Sequence, residues 1–82
     1  MAGERDALMR ELQALDERRL PLHERLALAE REAMELREQG VRRPAALDQH
    51  LRTLRAQLAE AGAWRRALTA RRRAMDGEDG AP

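Results

Sequence analysis

The chain has 82 residues and a formal net charge of +1. It contains 16 arginines and no lysine. It contains no Ser, Cys, Lys or Tyr, which removes most nucleophiles used in covalent catalysis as well as disulfide and thiolate chemistry. With 16 Ala, 13 Leu and only one Val and two Thr as β-branched residues, the composition predicts an all-helical protein.

The N-terminal segment is charged from Glu4 onward and includes no apolar run, so we do not expect a signal peptide. The longest apolar stretch is Leu26–Ala29, which is far too short to span a membrane. Together with the lack of cysteine, these features favour a cytoplasmic location.

The first predicted helix spans residues 4–39. Its apolar residues recur at alternating steps of four and three, which is the heptad spacing of a helix that packs along one stripe against another helix. We call this stripe the seam of the helix. It consists of Leu8, Leu12, Leu15, Arg19, Leu22, Leu26, Ala29, Ala33 and Leu36.

A turn is predicted over residues 40–43 and a second helix over residues 44–75. Gly40 suits the position just past a helix end, and Pro44 suits the first position of the next helix, because its fixed φ angle matches a helix and no N–H is needed there. The second helix has a seam with the same spacing. It consists of Leu47, Leu51, Leu54, Leu58, Ala61, Arg65, Leu68, Arg72 and Met75.

The two seams match when the chain folds back at the turn. Residues whose numbers sum to about 83 or 84 then face each other, and large side chains tend to meet small ones. Oppositely charged flanking residues also come together, among them Glu30 with Arg55 and Arg37 with Asp48. The sequence therefore predicts an antiparallel two-helix coiled-coil hairpin with arms about 45 Å long.

Pro21 lies inside the first helix, where it removes a backbone hydrogen bond and crowds the preceding turn. We expect the helix either to kink there or to break, in which case Pro21 would open a further helix. The register places Pro21 opposite Gly62, and it places the single tryptophan, Trp64, beside Leu20 and across from Arg18. We interpret this arrangement as a packing solution, in which small residues accommodate the proline, rather than as a binding pocket.

The charged seam residues all lie in the half of the hairpin that is distant from the turn. They are Arg19, Arg65 and Arg72. These side chains could extend out of the seam to carboxylates such as Asp16, Glu17 or Glu60. Alternatively, this end of the hairpin is open, and an acidic partner or another copy of the chain completes it. Residues 76–82 carry three acidic side chains, and we expect them to form a disordered tail that could shield the arginines.

Several apolar side chains lie off the seams, where a single helical neighbour cannot cover them. A hairpin with one seam and no disulfide has little core, so we expect it to form a dimer or a larger helical bundle, or to bind another protein. The predicted partner-binding residues are Leu20, Leu28, Met34, Trp64, Arg19, Arg65 and Arg72. The residues predicted to be structural are Pro21, Gly40, Pro44 and Gly62.

Neither His23 nor His50 is spaced with a second ligand as in a metal site, and the sequence has no Gly-rich phosphate loop. We therefore predict no metal, no cofactor and no catalytic residue. Nucleic acid is the rival partner, because residues 40–75 carry nine arginines against two acidic residues, a net charge of +7. Residues 1–39 have a net charge of −3 and offer acidic partners to many of those arginines.

The chain resembles the short helical hairpins of bacterial export co-chaperones and secretion-apparatus adaptors in its length and in its Gly40–Pro44 turn. This resemblance is one of shape, and it assigns no family. The expected function is that of a small non-enzymatic protein-interaction module, such as an adaptor, an assembly subunit or a co-chaperone, that acts through a helical hairpin. The alternative is a hairpin that binds nucleic acid through its arginine-rich second helix.

Overall fold

The computed structural model describes residues 2–80, with side chains from residue 3 to residue 77. It has two helices, α1 (Ala2–Glu38) and α2 (Ala45–Gly80), and residues 2–80 include no strand. Both helices are built mainly from Ala, Leu, Arg and Glu, which lose little conformational freedom in a helix. They fold into a hairpin 63 Å long and 20 × 16 Å across. The predicted arm length of about 45 Å is too short, because a helix of 37 residues that rises 1.5 Å per residue spans about 56 Å.

The turn between the helices is a Schellman motif. Gly40 has a φ angle of +70°, which a residue with a side chain adopts only at a cost. The N–H of Gly40 donates to the carbonyl of Arg37 at 3.1 Å, and the N–H of Val41 donates to the carbonyl of Leu36 at 2.9 Å. Gly40 therefore lies just past the end of α1, with the geometry that a glycine at this position favours.

Pro44 precedes α2 instead of being its first residue. Its carbonyl accepts the N–H groups of Leu47 at 3.1 Å and Asp48 at 3.2 Å. Pro44 is thus the flanking residue whose carbonyl receives the first helical hydrogen bonds, and α2 begins one residue later than predicted.

α2 also ends later than predicted. The sequence placed the helix end at residue 75 and a disordered tail over residues 76–82, whereas α2 continues to Gly80. Asp76 supports this continuation, because its carboxylate lies 2.7 Å from Nη2 of Arg5 on α1 and 3.9 Å from Nε of Arg72 one turn earlier. Residues 81–82 of the predicted tail lie outside the described residues.

α1 continues without a break through Pro21, so the alternative of three helices is wrong. Pro21 is exposed and therefore does not force α2 away. The predicted accommodation of Pro21 by Gly62 is also wrong. The two residues lie at the same level but on opposite sides of the seam, because Pro21 precedes the seam residue Leu22 and Gly62 follows Ala61. A Cβ atom at Gly62 would contact only Nη1 of Arg66, at 3.6 Å.

The seams form the contact between the helices. Every buried residue among the described side chains belongs to a predicted seam, and these residues are Leu8, Leu12, Ala29, Ala33, Leu47, Leu51, Leu54 and Leu68. They form two separate clusters. The cluster near the turn is built around Leu51 and Leu54, and the cluster near the chain ends is built around Leu8, Leu12 and Leu68.

Ion pairs between the helices show that the helices run antiparallel. They join Arg5 to Asp76 at 2.7 Å, Asp16 to Arg65 at 2.7 Å and Glu30 to Arg55 at 4.0 Å. The residue numbers of these pairs sum to between 81 and 85, close to the predicted register. The predicted approach of Glu30 to Arg55 is confirmed.

A second predicted ion pair, between Arg37 and Asp48, is replaced by another. Asp48 accepts a hydrogen bond from Nη1 of Arg43 at 3.0 Å. The irregular segment between Gly40 and α2 brings Arg43 within reach of Asp48 in the first turn of α2, which satisfies the carboxylate locally.

Candidate interaction surface

The middle of the hairpin lies between the two apolar clusters, where the seam residues are Arg19 and Arg65 in place of leucines. The side chain of Arg19 is 26% exposed and that of Arg65 is 44% exposed, so both extend towards solvent, although Nε of Arg19 remains buried. The apolar contact between α1 and α2 is interrupted at this level.

Asp16 compensates both arginines. Nε of Arg65 donates to Oδ1 of Asp16 at 2.7 Å, and Nη2 of Arg65 donates to Oδ2 at 3.4 Å. Nη1 of Arg19 lies 3.8 Å from the same Oδ1 atom. One carboxylate therefore serves two guanidinium groups, which is the outward arrangement that the sequence left open for these arginines.

This contact also changes the titration of the pair. The hydrogen bond from Arg65 lowers the pKa of the Asp16 carboxyl group, and the charges of Arg65 and Arg19 lower it further, while partial desolvation opposes them. The same hydrogen bond raises the pKa of Arg65. Arg72, the third predicted arginine, lies 3.9 Å from Asp76. The three seam arginines thus all have a carboxylate nearby within the hairpin.

An open groove of about 780 Å³ lies beside this interruption. Its apolar lining combines half-buried seam residues with exposed ones, and Trp64 remains 56% exposed. Charged and polar side chains border the apolar part. The groove is lined by Glu11, Ala14, Leu15, Arg18, Pro21, Leu22 and Arg25 of α1 and by Gln57, Glu60, Ala61 and Trp64 of α2. The middle of the hairpin is therefore not the closed packing arrangement that the sequence suggested.

The groove and the ion pairs between the helices lie on opposite sides of the seam. Arg18 and Arg25 each precede a seam residue, whereas Asp16 and Glu30 each follow one. On a helix, these two sets project to opposite flanks of the apolar stripe. We call the first side the groove face and the second side the ion-pair face.

The two faces differ in how their charges are compensated. On the ion-pair face, three ion pairs between described residues join α1 to α2. The charged residues that line the groove are Glu11, Arg18, Arg25 and Glu60. None of them forms an ion pair within 4 Å with another described residue. The groove face therefore combines an exposed aromatic side chain with charges that lack an ionic partner.

The other predicted apolar contact residues do not line this groove. Leu20, Leu28 and Met34 are all at least 61% exposed. Leu28 lies seven residues after Pro21 and thus on the groove side of α1, while Leu20 and Met34 are fourteen residues apart on the flank next to the ion-pair face. The structure brings Trp64, Pro21 and Arg18 together but does not place Leu20 beside them.

A row of arginines follows the outer flank of α2 on the ion-pair face. Arg52, Arg66 and Arg73 are spaced by multiples of seven residues, and none of them forms an ion pair with another described residue. Arg66 and Arg73 line a smaller hollow of about 490 Å³ together with Arg19 and Arg65. This row is the part of the surface that nucleic-acid binding would use.

Within the described residues, no group of three or more His, Asp or Glu side chains lies close enough together to hold a metal ion. Neither helix, over the same residues, combines the length and the apolar character that crossing a membrane requires.

No protein-family model matches the chain, and neither a curated protein sequence nor a solved structure is significantly similar to it.

Proposed function

We propose that this chain is a non-enzymatic protein-interaction module, an adaptor or assembly subunit whose groove face binds another protein. The observation that carries the proposal is the groove itself. It presents the half-exposed Trp64 beside apolar seam residues, and the charges that border it have no ionic partner within the described hairpin. Aromatic side chains at the centre of a surface and polar side chains at its rim are typical of protein interfaces.

The total surface of the hairpin supports the same proposal. A compact monomer of 9.4 kDa is expected to expose about 5,000 Å². This chain exposes 6660 Å². The excess of roughly 1,600 Å² is about the area that both partners together bury in a standard interface. The hairpin therefore exposes enough surface to form an interface of standard size with a partner.

The proposal includes the finer features of the fold. The alternating seam favours an antiparallel coiled coil, in which side chains of one helix fit between those of the other. A kink in α1 is expected at Pro21, because its missing N–H leaves the carbonyl of Glu17 without its helical donor. Such a kink would widen the groove that Pro21 lines.

Photo-crosslinking in cells that express the protein tests the proposal. A photoreactive residue at position 14 or 57, both on the groove, should give strong adducts with a protein. The same residue at position 56, on the exposed outer flank of α2, should give few. The captured protein is then identified and purified, and its binding to the wild-type chain is measured.

The substitution Trp64→Ala should weaken this binding at least tenfold. Labelling at positions 14 and 57 that is absent, or that is no stronger than labelling at position 56, would overturn the proposal.

Nucleic-acid binding is the second candidate, and the unpaired row of Arg52, Arg66 and Arg73 favours it. If this row contacts phosphates, the double variant Arg66→Gln/Arg73→Gln should bind duplex DNA or RNA more weakly than wild type at low salt. The slope of log K against log salt should also fall by about 2, since each lost phosphate contact contributes roughly 0.9. Trp64→Ala should leave that binding unchanged, which separates the two candidates.

A further inference from the structure

We propose that the groove face binds a second copy of this chain, so that two hairpins form a four-helix bundle with both turns at the same end. This inference rests on the proposed function, because it names the partner of the same surface.

Contacts within the hairpin define which residues of α1 and α2 share a level. The observed ion pairs have residue numbers that sum to between 81 and 85. By this rule Glu11 lies at the level of Arg71, Arg18 at the level of Trp64, and Arg25 at the level of Glu60. If a two-fold axis runs parallel to the helices, α1 of one copy lies over α2 of the other, and these levels face each other across the interface.

Three facing pairs along the groove are attractive in this arrangement. Glu11 meets Arg71 of the second copy, and Arg25 meets Glu60 of the second copy. Arg18 meets the ring of Trp64 of the second copy, a cation–π contact of about 0.5–2 kcal/mol depending on how far the pair is desolvated. The pairs each occur twice by symmetry. Glu11, Arg25 and Glu60 have no ionic partner among the described residues of one hairpin, and each would thus gain one, while Arg18 would gain an aromatic contact.

The opposite arrangement, with the turns at opposite ends, brings like charges together. An axis perpendicular to the helices near Pro21 places α1 over α1 of the second copy. Arg18 then approaches the level of Arg25, and Glu11 approaches the level of Glu32. Like charges that face each other destabilise an interface. The signs on α1 therefore favour the bundle with both turns together.

The area and the helix directions agree with this bundle. A standard interface takes about 800 Å² from each partner, and one hairpin exposes roughly 1,600 Å² more than a compact chain of its mass. In the bundle each helix also has only antiparallel neighbours, which is favourable for the helix dipoles.

Two charge-reversal variants test the inference directly. Arg25→Glu and Glu60→Arg should each be monomeric, because each homodimer would contain two like-charge contacts. Mixed in equal amounts, they should form a heterodimer in which both contacts are attractive. Light scattering should give about 19 kDa for the wild type and for the mixture, twice the 9.4 kDa of the chain, and about 9 kDa for each variant alone.

The matched control is Arg52→Glu, which reverses an exposed charge on the ion-pair face and should leave the wild-type mass unchanged. Far-ultraviolet circular dichroism confirms that each variant remains helical. A wild type that stays monomeric at tens of micromolar, or a mixture that does not exceed the mass of its components, would overturn the inference. If photo-crosslinking still captures another protein at positions 14 and 57, the proposed function stands while the second copy is excluded as the partner.

The position of the turns is tested with spin labels. Val41 is exposed at the turn, and the chain has no native cysteine, so Val41→Cys gives a single labelling site. With both turns at one end, the labels should lie within about 30 Å of each other, since neighbouring helices pack about 10 Å apart. A distance near the hairpin length of 63 Å would show the opposite arrangement and overturn the proposed orientation.

Discussion

At Arg19, the Nε atom is buried without a hydrogen-bond partner, although Nη1 of the same side chain lies 3.8 Å from Asp16. A buried donor that lacks a partner costs about 1–3 kcal/mol. The apolar stripe is also interrupted at this residue. Arg19→Leu should therefore raise the free energy of unfolding by about 1–2 kcal/mol, since it removes the unpartnered donor and extends the seam. Urea denaturation followed by circular dichroism measures the change.

The control for Arg19 is Arg31→Leu, which makes the same replacement at an exposed position. Its effect should stay within about 0.5 kcal/mol, as for most surface substitutions. If Arg19→Leu destabilised the hairpin, the contact between Arg19 and Asp16 would be worth more than the apolar packing that replaces it.

The stability of the hairpin should depend on pH through the carboxylate of Asp16. Its pKa in the folded chain is lowered from the usual 3.8, chiefly by the hydrogen bond from Arg65. A lowered pKa stabilises the folded state above the unfolded pKa, and this stabilisation is lost as the pH falls through the folded pKa. Asp16→Asn should thus lower the melting temperature near neutral pH, and its difference from wild type should disappear as the pH falls below 3.8 and through the lower folded pKa. Glu24→Gln, at an exposed position, should leave the melting temperature at neutral pH close to that of wild type. A difference in melting temperature between Asp16→Asn and wild type that persists unchanged at low pH would contradict the role assigned to Asp16.

At the scale of elements, the heptad spacing was sufficient to predict both helices and their contact. It identified each buried residue, because burial in a hairpin follows from which residues share a stripe. The groove was missed for a reason visible in the same spacing. Pro21 and Gly62 were matched by level alone, whereas their positions before and after a seam residue put them on different faces. The ion pair of Arg43 with Asp48 depends on the backbone of the turn, which residue propensities do not define.

The same substitution should have opposite effects on stability at two glycines, Gly40 in the turn and Gly62 inside α2. Gly40→Ala should destabilise the hairpin by about 1 kcal/mol, because the φ angle of +70° is unfavourable for alanine. Gly62→Ala should stabilise it by about 0.5–1 kcal/mol, because Gly62 lies inside α2 and an added Cβ meets only the end of the Arg66 side chain. Chemical denaturation of both variants measures the signs. A loss of stability in Gly62→Ala would show that a neighbour other than Arg66 occupies that space.

For the whole molecule, the thin core makes assembly a matter of stability as well as of function. The two apolar clusters are separated by the arginine layer, so a single hairpin has no continuous core to depend on. The shortage of apolar core predicts an oligomer from the sequence, but the heptad pattern does not indicate which face forms the contact. That choice needs the structure, because it depends on which charges are already paired, as Asp16 is with Arg65, and which are not, as with Arg25.

If two hairpins fold as one bundle, the melting temperature must rise with protein concentration, because mass action favours the dimer. A tenfold increase in concentration contributes about 1.4 kcal/mol per mole of dimer. Divided by the unfolding entropy expected for two such chains, this amounts to about 4 °C. Trp64→Ala should abolish the dependence by removing the central aromatic side chain of the groove, whereas Arg52→Glu on the other face should retain it. Thermal melts over two decades of concentration decide the matter. A wild-type melting temperature that stays constant over this range means that the hairpin folds alone and that its groove is reserved for a different protein.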